Sequence, residues 1–295
     1  MTTVLLFGAT GFLGREVRSR LAADTRRPRV VCPGRNTLDL LRASPGEAAG
    51  LLLEVRPAAV INCVGRMGGG YDVLLRGNAG VSALLIEAMT TAESSARYVR
   101  LGSAAEYGPG IPGTSTTEDT PPRPASAYGV SHLAGTLLVR QAAQEGRVDG
   151  LTLRIFNPIG PGTSAENVLG RARELVGQAL AARSPHIELG PLGAFRDFVD
   201  VRDVADAVVR AAFVPELPDL PERVLNVGSG RSVVVREPVR LLAEAMGYDG
   251  ELRERGTASA RSPAVDWSRA DVTRTGRVLG WRPRHTLAES VKAMT

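Results

Sequence analysis

"TVLLFGATGFLG", residues 3–14, runs from a short apolar segment straight into three evenly spaced glycines, Gly8, Gly11 and Gly14. The apolar run reads as a buried strand. Beyond the glycines Leu13, Val17 and Leu21 recur every four residues, giving the next segment one apolar helical face. Glycine at such a junction permits a tight turn, lets backbone approach a pyrophosphate, and lets helix pack closely on strand. The helix N-terminus then offers unpaired N–H groups and the positive end of its dipole to phosphate. Strand, glycine turn and helix in that order predict a dinucleotide site, with Gly8, Thr10, Gly11, Phe12, Leu13 and Gly14 around it.

The same rhythm continues outward. "RVVC", "AAVINCVG", "ARYVRLGS" and "LTLRIFN" read as further strands separated by helical patterns, which argues for βαβ units and a parallel sheet. After Asn157 a Pro/Gly-rich turn leads into the helix of "NVLGRARELVGQALAA". "FRDFVDVRDVADAVVRAA" gives a strand and a helix with Asp200 as its N-cap, and "RVLNVGSG" one more strand. The expected fold is α/β: a Rossmann-type doubly wound parallel sheet with a smaller, interleaved C-terminal α/β substrate-binding domain. The expected division is 1–157 plus 198–228 for the dinucleotide domain and 158–197 plus 229–295 for the cap.

Composition narrows the function. The 295 residues are 43% hydrophobic and 23% charged, as in ordinary globular proteins. No unbroken apolar run approaches the roughly 18–20 residues of a membrane span, and the N-terminus lacks the charged start of a signal peptide. No membrane partner is expected, and the protein is assigned to the cytoplasm. Cys32 and Cys63 are too few for a disulfide framework, and no metal site is expected. The net charge is +5, but the basic residues are arginines scattered along the chain, with Lys292 the only lysine. No basic block or aromatic-interleaved stripe suggests nucleic acid, whereas discrete arginines suit diphosphate groups.

The spacing Gly-x-x-Gly-x-x-Gly resembles the short-chain dehydrogenase/reductase superfamily, especially its extended branch (the epimerase/dehydratase family), which acts on nucleotide sugars. "GSAAEYG", residues 102–108, resembles that branch's Ser-Ser-Ala-x-x-Tyr-Gly stretch, and "SAYGVSH", residues 126–132, follows at the family's spacing. The resemblance implies that Ser103 hydrogen-bonds the reacting carbonyl, that Tyr128 is the catalytic tyrosine, and that Asn78 in "RGNAGV" flanks the site. It extends the cofactor contacts to Asp39 and Leu40 in "LDL", Val64, Gly65, Leu101, Ile155 and Phe156. Arg35 in "CPGRN" stands where an NAD site usually carries an acid, so NADP(H) is favoured over NAD(H); a solvated surface arginine is the alternative.

Ketone reduction needs a proton for the developing alkoxide. A tyrosine can give it if its pKa of about 10 is lowered, and a serine hydroxyl steadies the same oxygen. In the family a lysine four residues after the tyrosine supplies the lowering charge. Here that position is His132, on the same helix face, with an ordinary pKa of about 6.5. Three readings stay open: a reductase with weaker or more pH-dependent tyrosine activation, non-redox chemistry such as cyclisation or isomerisation on the old scaffold, and a binding-only relic.

"RIFNPIGPG" resembles the family's Arg-x-Phe-Asn-x-x-Gly-Pro-Gly segment, and "RDFVDVRDVADA" resembles GDP-4-keto-6-deoxymannose reductases; the first half also resembles dTDP-4-keto-rhamnose reductases. These imply a nucleotide-sugar substrate touching Ser103, Ala104 and Asn157, with Arg196 as diphosphate clamp and Arg171 or Arg261 as a second contact. Each arginine has a surface salt bridge as its plain alternative. A homodimer is implied as well. The 4,6-dehydratases carry Asp-Glu where Ala104 and Ala105 stand, and decarboxylases carry Glu at the place of Ala105. Glu106 is one residue off, and on an extended strand it would point to the other face. The expected activity is 4-keto reduction of a nucleotide-diphospho-4-keto-6-deoxy sugar, with 4-epimerisation as the alternative.

Overall fold

Strand β1 (Thr3–Phe7) feeds the glycine turn and helix α1 (Phe12–Ala22), on which Val17 and Leu21 are fully buried, as their spacing predicts. There follow β2 (Arg29–Val31), α2 (Pro45–Val55), β3 (Ala59–Asn62), α3 (Tyr71–Leu75), a π-helical turn (Arg76–Gly80), α4 (Val81–Thr91) and β4 (Arg97–Ser103). A 3₁₀ turn (Ala104–Glu106), α5 (Ala127–Gln144) and β5 (Asp149–Ile155) complete the first half. The second half comprises β6 (Pro158–Ile159), α6 (Val168–Ala182), β7 (His186–Leu189), β8 (Phe195–Asp197), β9 (Val199–Asp200) and α7 (Val201–Phe213). After it come β10 (Val224–Val227), β11 (Ser232–Val234), α8 (Arg236–Ala245), β12 (Glu251–Glu254), α9 (Thr273–Leu279) and α10 (Leu287–Lys292). The computed structural model describes residues 2–217, 220–255 and 265–295.

Six strands form one parallel sheet in the order β10-β5-β4-β3-β1-β2, and they are the six that the apolar runs predict. The strand order reverses between β1 and β3. Their carboxyl ends therefore flank a crevice, the place where open α/β sheets bind ligands. Helices cover both faces. One apolar cluster joins Val4, Leu6, Val99 and Leu153 to α1 and α7, with Leu279 and Trp281 added from the C-terminal segment. The other joins Leu5, Val60 and Tyr98 to α2, α4 and α5.

A third cluster gathers Leu169 and Val176 of α6, Ile187 of β7, Leu242 of α8 and Val291 of α10. Three short strand pairs lie outside the main sheet: β6 parallel to β9, β8 antiparallel to β11, and β12 parallel to β7. Asp200 caps α7 as predicted, its carboxylate accepting from the Arg202 N–H at 2.8 Å. The segment Tyr71–Thr91 is, by length and composition, apolar enough to cross a membrane, although it contains no unbroken apolar run. More than half of it is buried here, and α4 packs on α2 and α5 as a core helix does.

Candidate active site

The glycine turn is built as a cradle. Gly8 adopts φ +74°, and a Cβ there would lie 2.8 Å from the carbonyl carbon of Cys63. A Cβ on Gly14 would lie 2.0 Å from the Gly8 carbonyl oxygen, so only glycine lets α1 close on β1. Helix α1 has no side-chain cap and no acid in its first turn, which leaves its N–H groups and dipole for an anion. Thr10 and Gly11 are exposed at the tip, with Phe12 and Leu13 half-buried behind them. These residues fit a dinucleotide diphosphate. Burial pushes the Cys63 thiol up to about 12 and raises Cys32 too, so neither serves as a thiolate.

Across the crevice, Asn78 lies in the π-helical turn, a distortion frequent at functional sites. Its side-chain oxygen accepts from the Arg66 N–H at 2.7 Å, and its amide donates to the Arg66 carbonyl at 2.9 Å and to Ser131 Oγ at 2.9 Å. It thereby ties the loop through Val64 and Gly65 to α5. Ser131 in turn donates to the Tyr128 carbonyl at 2.8 Å.

Ser103 ends β4 and caps the 3₁₀ turn, its hydroxyl accepting from the Ala105 N–H at 3.1 Å. Tyr128 sits in the first turn of α5, which Ser126 caps. A Cβ on Gly129 would lie 2.4 Å from the Ala105 carbonyl oxygen, so glycine lets the first turn of α5 press against the turn after Ser103. His132 follows one helical turn on, with 4.6 Å between its ring centroid and that of Tyr128. It is only 7% exposed, and its Nδ1 is buried without a hydrogen-bond partner. Burial, then the neighbouring Arg100 guanidinium, hold the imidazole well below its ordinary pKa, so it is neutral.

Beneath this face lies a group of which the motifs mark only Arg154, the arginine that opens "RIFNPIGPG". Arg100 on β4, 2% exposed, donates to the carbonyls of His132 at 3.0 Å and Asn78 at 3.1 Å, and to Ser82 and Thr136 hydroxyls. Glu106, fully buried, accepts from Arg154 Nε at 2.7 Å, Thr136 Oγ1 at 2.8 Å and the Ser103 N–H at 3.0 Å. The expectation that Glu106 continues an extended strand fails, because β4 stops at Ser103 and the chain turns. Its carboxylate is engaged by four partners, counting Arg100 at 3.8 Å. The signal in the sequence was charge inside apolar strands, Arg100 in "ARYVRLGS" and Arg154 in "LTLRIFN". On strands covered on both faces such residues must find partners.

The remaining predicted residues are distributed as follows. Arg35 is exposed on the turn after β2, at the sheet end that also carries the glycine cradle, while Leu40 is buried and Leu101 lies inside the sheet core. Asp39 is half-buried and accepts from the Leu41 N–H at 3.1 Å, closing its own turn. Ile155 and Phe156 are both buried; Phe156 packs with Tyr107 and Ala270, and Ala104 touches the same cluster. The Asn157 amide donates to the Asp197 carbonyl at 2.8 Å. The buried Asp197 carboxylate accepts from the N–H groups of Ser229, Gly230 and Ala270, joining β8 to the end of β10. Arg196 donates to the carbonyls of Phe195 at 2.9 Å and Val265 at 2.6 Å. Arg171 is exposed on α6 and ion-paired with Glu174 at 3.7 Å. Arg261 lies outside the described residues.

The profile of the NAD dependent epimerase/dehydratase family matches residues 4–228. The chain is 36% identical to a dTDP-6-deoxy-L-talose 4-dehydrogenase (NAD(P)(+)) of Kitasatospora kifunensis, over 99% of this chain and 94% of that one. It is 28% identical to a GDP-6-deoxy-D-mannose reductase of Pseudomonas aeruginosa, over 97% of this chain and 94% of that one. The structure of RMD from Pseudomonas aeruginosa complexed with NADPH matches with a TM-score of 0.86 and 28% identity, over 99% and 96% of the two chains. The matched profile runs from β1 to the end of β10, and the relatives align along nearly the whole chain. The protein belongs to the NAD-dependent epimerase/dehydratase family, the extended branch of the short-chain dehydrogenases/reductases.

Proposed function

We propose that the protein is an NADPH-dependent reductase of a nucleotide-diphospho-4-keto-6-deoxy sugar. The observation that carries this reading is Tyr128 on the first turn of α5, packed against the turn that begins at Ser103, at the sheet end that also bears the glycine cradle. Likeness to a nucleotide-sugar 4-dehydrogenase and a nucleotide-sugar reductase supports the substrate class. The Arg35 position supports NADP(H), while the talose relative's own name covers both cofactors.

The cradle residues, with Val64, Gly65 and Leu101, would hold the dinucleotide, whose nicotinamide exchanges hydride with the substrate when bound. Tyr128 Oη gives its proton to the carbonyl oxygen as negative charge develops there, and takes it back in the reverse direction. Ser103 Oγ donates a hydrogen bond to the same oxygen. Asn78 holds the loop at Arg66 and the Ser131 side of α5 in fixed relation, which keeps Tyr128 aimed. Neutral His132 packs against the tyrosine ring and serves neither as cation nor as acid at pH 7. Arg196 is the diphosphate clamp in this reading, on substrate binding exchanging backbone carbonyls for the diphosphate. Residues 1–157 and 198–228 form the dinucleotide part, and 158–197 and 229–295 the cap. We further propose a homodimer, supported by the apolar faces that α3 and α5 leave exposed.

The test is Tyr128→Phe in a hydride-transfer assay with dTDP- and GDP-linked 4-keto-6-deoxy sugars, run with NADPH and with NADH. Removing the proton donor should cost roughly 10²–10⁴-fold in turnover. Unchanged turnover in the variant sinks the reading, and equal efficiency with NADH removes the cofactor preference.

A further inference from the structure

Burying a cation in a central strand is costly unless it is paired, and Arg100 is paired only in part. Its close hydrogen-bond partners are all neutral: two hydroxyls and two carbonyls, at 3.0–3.1 Å. Glu106 stands 3.8 Å away and gives its shorter contact, 2.7 Å, to Arg154. Two buried guanidiniums thus share one buried carboxylate, leaving one excess positive charge. Room for it is built in. A Cβ on Gly135 would lie 2.5 Å from an Arg100 guanidinium nitrogen, so the glycine brings that cation against the backbone of α5. The helix carbonyl it holds belongs to His132, one turn beyond Tyr128.

Among the described residues, the ionisable groups that interact electrostatically with Arg100 are Tyr98 on β4, Glu106 on the 3₁₀ turn, Arg154 on β5, and Tyr128 and His132 on α5. The π-helical turn and α4 contribute only the Asn78 carbonyl and the Ser82 hydroxyl. His132 is neutral, and the sole lysine of the chain is Lys292 in α10. An ionised Tyr128 would add a second anion beside the two guanidiniums. We propose that Arg100, acting from beneath α5, is the positioning residue that supplies the fixed positive charge for Tyr128, the role left open by the histidine at position 132. The phenol proton leaves more readily because the anion it leaves behind lies in the field of a permanent cation.

The inference rests on Tyr128 as the proton-bearing residue of the proposed reaction. Its test, however, reads the phenol in the ligand-free protein, so failure on every substrate tried would leave that result standing. The near-ultraviolet absorbance of tyrosinate is titrated in wild type and variants, each with the signal of its Tyr128→Phe counterpart subtracted. Arg100→Met should move the Tyr128 transition up by roughly one pH unit or more, and Arg100→Lys by much less. Glu106→Gln, which increases the excess charge, should move it down. His132→Gln should leave it nearly in place. In turnover, the pH profile of kcat/KM should shift by the same interval as the phenol.

A folded Arg100→Met protein whose Tyr128 titrates where wild type does overturns the proposal. So does a His132→Gln shift as large as that of Arg100→Met, since the histidine would then be the source of the charge. Where Arg100→Met does not fold, Glu106→Gln decides: a downward shift supports the proposal, and no shift or an upward one overturns it.

Discussion

His132 carries a signature that can be read without any ligand. Its imidazole is almost wholly buried beside the Tyr128 ring, and both burial and the neighbouring Arg100 cation favour the neutral form. In the unfolded chain it takes up a proton near its ordinary value of 6.5, while in the folded protein it stays neutral to well below that. Below pH 6.5 the unfolded state therefore binds more protons, and stability falls as pH falls. One such group contributes a slope of up to about 1.4 kcal/mol per pH unit. His132→Gln should remove that component. Denaturant unfolding of wild type and variant between about pH 7 and pH 5 checks it. Parallel stability curves would mean that the histidine takes up its proton in the folded protein as well.

At the level of elements, β4 and α5 form one unit whose seam is lined by Arg100, Thr136 and Gly135. Gly135→Ala would drive a methyl into the guanidinium, which four hydrogen bonds hold from moving aside. The expected cost is about 1–3 kcal/mol, read as a lower Tm, together with an altered Tyr128 titration. A Tm matching wild type would show that the guanidinium has somewhere else to go. This seam also marks the limit of what the sequence conveys. Tyr128, Ser103 and Asn78 stand in motifs whose order is recognisable, and α1 announces itself through Val17 and Leu21. Arg100 belongs to no motif, and Glu106 falls at an unspecified position of "GSAAEYG". Their meeting depends on the 3₁₀ turn after Ser103 and on the register that sets Gly102 beside Arg154, with room for the Glu106 carboxylate. A missing methyl at Gly102 or Gly135 has no periodicity to betray it.

For the whole molecule, the apolar runs foretold the six-stranded sheet because every strand but the half-exposed edge strand β2 is covered on both faces and reads as mostly hydrophobic sequence. The strand expected at the start of "FRDFVDVRDVADAVVRAA" is split into β8 and β9, and β6 and β11 escape such a reading. They are two or three residues long and pair across long stretches of chain, so packing rather than local pattern defines them. What the fold leaves uncovered points to a partner. Tyr71 is 78% exposed on α3, with Val73 and Leu75 beside it. On α5, Val130, Leu137 and Leu138 are each at least 40% exposed. Their spacing of seven and eight residues sets them on one face, and α3 packs on α5, so the two helices form a continuous apolar surface. A second copy presenting the same two helices would bury it symmetrically, and a stable interface of this kind takes about 800 Å² from each partner. Sedimentation of the wild-type protein should give a dimer. Leu138→Glu introduces a charge twice across a two-fold interface and should weaken association by roughly a hundredfold or more. Because Leu138 lies on the outer face of α5, away from the Arg100 seam, the ligand-free Tyr128 titration of that variant should match wild type. A wild-type protein that sediments as a monomer, or a Leu138→Glu protein that stays dimeric, would place the partner surface elsewhere.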